Sequence, residues 1–419
     1  MRRSFIFSGI CVLLGAVVSS CHFGETDARA AYSKKSFPNY METEGASAAV
    51  KPYSIDSSHV LDIVVDMAKI EDHVYVQDII DSIRYVMLET TDECLIGNIS
   101  ELYIDGRFIF IVDDTIFESV FVFDENGRFL NKIGHLGKGP AEYAGINGVA
   151  INRKAKEILI HDMKSKRVHV YSYSGDYLRS WETSFFFDDI KLTDDGHYVY
   201  SGYGEPNLHL PAFSYHDIVV SDTAFNYLYK SFRFNENASD FGHWYAFKLR
   251  DMNDSEIIYA PRFANRVYAF GGDSMALKCR FQFNGGTVVD RAVFDRYGYR
   301  ELEHFLETEP DAVFFDGTFS ETNTHIFFSC YNGKRHVNGL FDTSSDNCRL
   351  FGGYALGFNE VPFFRSPLTQ VGDWFVSDIP VADIVSKKHK LISASFKAFF
   401  KQVDERSNPV LAFYRFKQF

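Results

Sequence analysis

The sequence repeats itself about every 48 residues, and this period limits the choice of fold more than any other feature. Residues 108–130, FIFIVDDTIFESVFVFDENGRFL, align with residues 157–178, EILIHDMKSKRVHVYSYSGDYL. Each segment reads as a strand that ends in Asp, a bend, a second strand of alternating apolar residues, and a glycine turn. Weaker copies continue to residue 416. Repeats of this length, with three or four strands each, are typical of a β-propeller.

The repeats predict an all-β, six-bladed β-propeller with a short C-terminal helix before the last strand. Units begin near residues 98, 145, 186, 247 and 312. The sixth unit combines residues 370–416 with an early strand, residues 82–90. Sharing one unit between the two chain ends leaves no sheet edge unpaired. A β-sandwich ranks second, because it would not require the repeat register.

Only two segments have apolar residues at helical spacing. Residues 389–404 form the predicted C-terminal helix, and residues 297–306 predict a second short helix within a loop. The segment 370–385, QVGDWFVSDIPVADIV, predicts two strands.

The first 21 residues predict a lipoprotein signal peptide. Arg2 and Arg3 precede a mostly apolar stretch, residues 5–18, and small residues then lead to Cys21. This order resembles the lipobox of bacterial lipoproteins, in which the signal is cut before a cysteine whose thiol receives a diacylglycerol. The alternative is ordinary signal cleavage, with Cys21 incidental. Residues 22–58 then predict a flexible tether, and residues 59–419 the propeller domain.

One stretch carries a family resemblance. Residues 120–178 contain the pattern IG-x-x-G-x-GP-x-EY, followed by a strand and an Asp. This stretch resembles the six-bladed β-propeller family of bacterial envelope lipoproteins, and IRYVMLET and NPVLAFYRF near the two ends are similar to that family's ends. The resemblance covers residues 60–419 and implies mainly the architecture. With the lipobox, it predicts a lipid-anchored protein of the bacterial cell envelope, at the outer membrane.

The glycine-rich stretch 132–149, KIGHLGKGPAEYAGINGV, raises the question of a phosphate-binding loop. It lacks the GxxxxGK[ST] and GxGxxG spacings, and Pro140 removes a backbone donor. We therefore interpret it as the connector between the first two blades. Lys138, Glu142 and Tyr143 are candidate ligand-binding residues at the channel face. Each also has a structural interpretation, as a solvated charge, a turn-holding carboxylate and a ring packed under the loop.

Asp113, Asp162 and Asp378 follow inner strands at one repeat position and are predicted to bind backbone N–H groups of the next bend. The alternative is a ring of carboxylates that holds a cation in the channel. The 14 histidines show no metal-ligand spacing, and His161 and His169 lie on different predicted strands. No cofactor is predicted, and a channel metal is the alternative.

Four cysteines remain beyond the signal: Cys94, Cys279, Cys330 and Cys348. Cys330 and Cys348 are predicted on the first and third strands of one meander, about 9.6 Å apart, which is too far for a disulfide. We therefore expect buried free thiols.

The net charge and the missing catalytic motifs limit the classes of function that fit the sequence. The formal net charge of −13 and the lack of a basic run exclude nucleic acid as a partner. Serine-hydrolase motifs such as GxSxG are absent, and Trp181, Trp244 and Trp374 fit core packing better than sugar stacking. An enzyme is the less favoured class, so the sequence predicts a membrane-anchored scaffold that binds an envelope protein, a glycan or a peptide. The alternatives are a propeller lyase or hydrolase with a metal-assisted channel site, and a subunit of a larger membrane complex.

Overall fold

The computed structural model describes residues 32, 35–37, 50–202, 204–234, 249–252, 256–294, 296–297, 299–352, 354–355, 365–391 and 393–419. These residues form 31 strands and five short α-helices. The fold is a β-propeller, in which strand meanders are arranged around a central axis.

The N-terminal part of the chain contributes six strands before the first complete meander. They are β1 (Lys51–Pro52), β2 (Ser54–Asp56), β3 (Leu61–Asp66), β4 (Ile70–Glu71), β5 (Val74–Tyr75) and β6 (Ile80–Met87). A 3₁₀ turn, Met67–Lys69, follows β3, and helix α1 (Val76–Ile79) precedes β6.

Three antiparallel meanders follow. Sheet 1 contains β7 (Glu101–Asp105), β8 (Phe108–Asp113), β9 (Ser119–Asp124) and β10 (Phe129–Ile133). Sheet 2 contains β11 (Gly148–Asn152), β12 (Glu157–Asp162), β13 (Arg167–Ser172) and β14 (Tyr177–Glu182). Sheet 3 contains β15 (Asp189–Leu192), β16 (Tyr198–Ser201), β17 (His216–Ser221) and β18 (Tyr227–Arg233).

Three further large sheets follow in the described part of the chain. Sheet 4 contains β19 (Arg250–Met252), β20 (Glu256–Tyr259), β21 (Arg266–Phe270) and β22 (Ser274–Asn284). Sheet 5 contains β23 (Thr287–Val288), β24 (Ala312–Glu321), β25 (His325–Asn332), β26 (Arg335–Asp342) and β27 (Asn347–Phe351), and β28 (Tyr354–Ala355) pairs with β5. Sheet 6 contains β29 (Thr369–Val371), β30 (Trp374–Ile379) and β31 (Val410–Phe416), with β6 as its outermost strand.

A separate apolar core fills the space between each pair of successive sheets. The core between sheets 1 and 2 contains Phe110, Tyr143 and Tyr171, all buried. The core between sheets 6 and 1 contains Phe413 and Phe121, so sheet 6 packs back onto sheet 1. The sheets therefore form a closed ring, and burial of both faces of each sheet explains the continuous apolar runs in the strands.

The predicted closure of the ring is confirmed. β6 pairs antiparallel with β31 from Met87↔Val410 to Ile80↔Phe416, so one sheet contains both ends of the domain. The first long strands of sheets 1 to 6 begin within three residues of the predicted unit starts.

The N-terminal strands run along the outer rim of the ring. β1 pairs in parallel with β18 of sheet 3, β2 and β3 with β22 of sheet 4, and β4 with β27 of sheet 5. β1 and β2 fall within the segment for which the sequence predicts a tether. Each added strand gives backbone partners to an edge that would otherwise be open.

A short part of the predicted tether also contacts the ring. Phe37 is buried, with its ring 4.9 Å from His209 and 4.7 Å from Phe186 between centroids. Lys166 Nζ donates to the carbonyl of Ser36 at 2.5 Å and lies 5.0 Å from the centre of the Phe37 ring. These partners belong to three loops at one end of sheets 2 and 3. We call this end the connector face, because the described loops that lead from an outermost strand to the next sheet lie on it.

Two helical predictions are confirmed in shortened or shifted form, and the two strands predicted in 370–385 are confirmed. Helix α3 (Tyr299–Thr308) matches the predicted loop helix, after the single turn α2 (Arg291–Phe294). Helix α5 (Ala394–Phe400) replaces the longer C-terminal helix, and Lys388–Lys390 forms a 3₁₀ turn. The two strands predicted in 370–385 are β29 and β30. Helix α4 (Val381–Lys387), which the sequence analysis does not predict, begins after Pro380 because proline ends a ladder and favours a helix start.

The cysteines lie where the sequence predicts. Cys330 is on β25 and Cys348 on β27, with β26 between them. All four described cysteines are free, and burial raises the pKa of the Cys348 thiol to about 12. Burial also raises the pKa values of Cys279 and Cys330, so these three thiols are protonated and poorly reactive.

Candidate functional site

The connector between sheets 1 and 2 is a compact loop held by its own backbone. Gly137 N donates to the carbonyl of Tyr143 at 2.9 Å, and Tyr143 N donates to the carbonyl of His135 at 3.2 Å. A β-carbon added at Gly137 would lie 1.8 Å from Glu142 Oε2. A side chain at this position would displace the Glu142 carboxylate, so the glycine makes room for that carboxylate.

Glu142 binds the loop that contains it. Its carboxylate accepts from Gly139 N at 2.7 Å and lies 2.9 Å from His135 Nε2. The backbone bond and then the histidine lower the pKa of Glu142 below its ordinary value. These contacts are the ones that the turn-holding interpretation requires.

Tyr143 lies under the connector and has no exposed surface. Its hydroxyl donates to the carbonyl of Glu118 at 3.2 Å, and burial raises the pKa of the phenol. In this position the ring packs against the core between sheets 1 and 2 and is not accessible to a ligand.

Lys138 is exposed and lies at the edge of a cleft of about 580 Å³. The connector forms one wall, and the third and fourth strands of sheet 2 form the other, with Arg167, His169, Tyr177 and Ser180. The sequence places Lys138 and Glu142 beside the channel, but the cleft opens toward the outer strands of sheet 2, away from inner strand β11. We call it the connector cleft.

His169 is a buried polar residue in the lining of this cleft. Its side chain is 2% exposed, and neither ring nitrogen has a hydrogen-bond partner among the described residues. Burial lowers the pKa of the ring, so it is neutral at pH 7 and presents one donor and one acceptor. Buried polar groups are nearly always paired, so an unpaired ring that lines a cleft is a candidate contact for a ligand or water.

The charges around the cleft are mostly positive. Lys138, Lys164 and Arg167 face one carboxylate, Glu142, in a protein whose formal net charge is −13. Arg167 also contacts Glu182 at 3.1 Å. Lys164 lies 3.4 Å from the carboxylate of Glu118. The cleft therefore offers donors and positive charge, which suit an anionic ligand.

Two of the three repeat-position aspartates tie loops together. Asp113 Oδ2 accepts from Gly97 N at 2.9 Å and Oδ1 from Ile116 N at 2.9 Å. Asp162 Oδ2 accepts from Ala144 N at 2.7 Å, which fixes the connector to sheet 2. Both carboxylates are buried and make the backbone contacts that a structural role needs.

Asp378 does not share this pattern. Its carboxylate is 3.7 Å from Arg365, and burial raises its pKa despite the arginine. Among the described residues, no group of three or more His, Cys, Asp or Glu side chains is placed to hold a metal ion.

A buried charged network lies where the inner strands of sheets 1, 2 and 3 meet. Lys191 on β15 is 2.6 Å from Asp189, 3.2 Å from Glu101 and 2.8 Å from the carbonyl of Val149. Tyr103 donates to the same carbonyl at 2.8 Å and also to Glu101. Lys191 is 1% exposed and its ammonium has three partners, so this network joins three sheets and has no donor left for a ligand.

A second groove, of about 500 Å³, lies on the other side of β14. We call it the aromatic groove. Trp181 and Phe225 line it with ring centroids 4.9 Å apart, and Phe185 and Tyr227 form its floor. Trp181 thus packs against other rings, as predicted, but also borders a groove that the sequence analysis does not identify.

The sequence analysis also does not identify His169 and Arg167 as residues that line the same cleft. The signal was present in RVHVYS, because Arg167 and His169 alternate with valines and so share the strand face opposite the valines. Only the fold shows that the connector lies against that face. None of the helices in the described part of the chain is long and apolar enough to cross a membrane.

The chain is similar to one family profile and to several solved structures. A family profile described as a domain of unknown function, DUF4934, matches residues 59–415. No curated protein matches the sequence. The crystal structure of an inferred exported protein from Bacteroides fragilis is similar at 17% identity and a TM-score of 0.67, covering 86% of this chain and 100% of that one. A DUF4221 member from Bacteroides vulgatus is similar at 8% identity and a TM-score of 0.43, covering 80% of this chain and 98% of that one. The first likeness shows the fold alone.

Proposed function

The chain belongs to the DUF4934 family, and from its fold and its connector cleft we propose that it is a non-enzymatic binding protein of the bacterial envelope. Each of the six larger sheets is one blade in this proposal, with the sixth shared by both chain ends. The similarity to an inferred exported protein supports a place outside the cytoplasm.

His169 carries the proposal. A neutral imidazole that is buried, unpaired among the described residues and adjacent to Arg167 and Lys138 favours a ligand that both accepts hydrogen bonds and carries negative charge. A carboxylate meets both requirements. Among the described residues of the cleft, Ser180 Oγ accepts from Arg167 and Tyr177 and is not paired with a histidine base, as acyl-transfer chemistry would need.

The membrane anchor in this proposal is a lipid on Cys21. The docked residues 35–37 then shorten the free tether. Ten residues separate Cys21 from Tyr32, the first described residue, and the eleven Cα-to-Cα steps between them span at most about 40 Å. A tether that ended at residue 58 would span at most about 130 Å. The connector face would therefore stay close to the membrane surface.

Binding in the connector cleft can be tested by calorimetry. We expect N-acetylglutamate and glucuronate to bind the soluble domain more tightly than their neutral counterparts, N-acetylglutamine and glucose. Replacement His169→Leu should abolish this preference. His304→Leu, on the exposed helix α3, is the matched control and should leave it unchanged. Equal binding of acids and neutral counterparts, or an undiminished preference in His169→Leu, would contradict the proposal.

The anchor has its own test. Growth with labelled palmitate should label the full chain but not a Cys21→Ala variant, and unlabelled wild-type protein would exclude lipidation. A metal-assisted lyase or hydrolase remains the alternative, and elemental analysis that finds stoichiometric metal in the purified protein would favour it.

A further inference from the structure

The outermost strands of the sheets differ in how they are covered. The N-terminal strands β1 to β4 add in parallel to the outer edges of sheets 3, 4 and 5, and β6 is itself the outer strand of sheet 6. Among the described residues, no strand pairs with the outer edge of β10 in sheet 1 or of β14 in sheet 2.

These two open edges are not equivalent. Next to β10 lies the turn of sheet 2, where Asn131 Nδ2 donates to the carbonyl of Tyr173 at 3.2 Å. A β-carbon on Gly175 would also lie 2.5 Å from the carbonyl of Lys132, so this turn covers part of β10. By contrast, every residue of β14 is exposed or half-buried, and Leu178 is 46% exposed. An exposed edge strand is a template for pairing with another chain.

A groove lies on each side of β14. Ser180 faces the connector cleft together with Arg167 and His169, whereas Trp181 faces the aromatic groove. A strand added beside β14 would direct alternate side chains toward these two grooves, because side chains alternate between the faces of a sheet.

We propose that β14 binds an extended peptide segment of a partner protein as an additional strand. The peptide has alternating acidic and apolar residues, with the acids in the connector cleft and the apolar or aromatic residues in the aromatic groove. The chain's own β1, β2 and β4 show that outer strands of this ring accept an added parallel strand. A peptide fits better than a glycan, because only a peptide can satisfy the backbone groups of β14. The proposal rests on the binding role proposed above.

The chain contains a matched pair of positions for the test. Leu178 lies at a bulge of β14, and Leu130 lies at the corresponding bulge of β10, with similar exposures of 46% and 44%. Proline is tolerated at bulges of edge strands but removes a backbone donor and alters the edge. Leu178→Pro should therefore block the added strand, and Leu130→Pro controls for the substitution itself.

The probes are two fluorescent heptapeptides, one alternating Glu with Val and the other Lys with Val. We expect the soluble domain to bind the acidic peptide at least tenfold more tightly than the basic one. Leu178→Pro should weaken binding of the acidic peptide at least tenfold, and Leu130→Pro should weaken it less than twofold. If Leu178→Pro lowers the urea midpoint, Trp181→Ala takes its place and should weaken binding by removing one wall of the aromatic groove.

Hydrogen exchange identifies the bound edge directly. The bound acidic peptide should slow amide exchange in Tyr177–Glu182 and leave Phe129–Ile133 unchanged. Failure of the acidic peptide to bind, or protection of another edge, overturns the proposal. So does exchange in β14 that is already slow without peptide and becomes fast when residues 22–49 are removed, because the chain's own segment would then be the occupant.

The small-molecule assay separates this inference from the proposed function. If N-acetylglutamate binds in a His169-dependent way but no alternating peptide binds, the edge proposal alone fails. If neither binds, the binding role of the cleft fails as well.

Discussion

Lys191 allows a quantitative test of the buried network at the centre of the ring. The substitution Lys191→Met keeps an unbranched chain of similar length and removes the charge. It leaves Asp189, whose side chain is 1% exposed, and Glu101, whose side chain is 11% exposed, without their shared cation. Neither carboxylate can then recover its hydration without opening the contact between inner strands.

The expected cost follows from burial. Removal of one partner from a buried ion pair usually costs about 3–5 kcal/mol, because a charge stays buried without compensation. Lys278 provides a matched control, since it also bridges two carboxylates, Glu256 at 2.7 Å and Glu321 at 2.9 Å, but is 25% exposed. Solvent screening there reduces the expected cost of Lys278→Met to about 1 kcal/mol.

Urea unfolding of both variants at pH 7 measures the two costs. At pH 5 the deficit of Lys191→Met should shrink, because the carboxylates that have lost their buried cation can take up protons in the folded state and protonation then favours folding. Combining Lys191→Met with Asp189→Asn and Glu101→Gln should recover part of the loss. If Lys191→Met costs no more than Lys278→Met, the central network does not stabilise the ring in the way described.

Three further perturbations test other parts of the fold. Gly127→Ala should lower the free energy of unfolding by more than about 3 kcal/mol, since φ is +82° and a backbone oxygen lies 1.9 Å from the added β-carbon. Gly106→Ala, where φ is +57° and the added carbon meets open space, should lower it by about 1–2 kcal/mol. Similar urea midpoints for the two variants would refute this. Phe37→Ala should lower the free energy of unfolding by about 3 kcal/mol and speed proteolysis of the N-terminal segment. Tyr32 is 62% exposed, so Tyr32→Ala should lower the free energy of unfolding by less than about 1 kcal/mol. Equal effects of the two substitutions would show that Phe37 does not anchor the segment. Burial lowers the pKa of His161 to about 3 from 6.5, so the protein should lose stability as the pH falls from 6.5 toward 3. The His161→Phe variant should lose less stability over the same pH range. Parallel curves of stability against pH for the two proteins would contradict this.

The sequence alone was sufficient for the order of the strands and the closure of the ring. Strand positions follow from a local pattern, in which apolar residues alternate and glycine turns recur at a fixed period. The pairing of β6 with β31 could be inferred because an open sheet edge is unfavourable and residues 82–90 had no other unit to join. Pro380 also carried a signal for helix α4, but the short apolar segment that follows fits a strand equally well.

The candidate site depended on contacts that no local pattern contains. From the sequence, Glu142 and Tyr143 each had both a ligand interpretation and a structural one. Only packing showed that Glu142 holds its own loop and that Tyr143 lies buried. His169 and Lys138 are 31 positions apart, and their shared cleft exists because the connector folds back over the third strand of sheet 2. The sequence by itself therefore determined the repeating sheets and their closed arrangement. Only the tertiary structure decided which polar groups are buried, which are paired and which sheet edge stays open, because these depend on residues distant in the chain that meet in space.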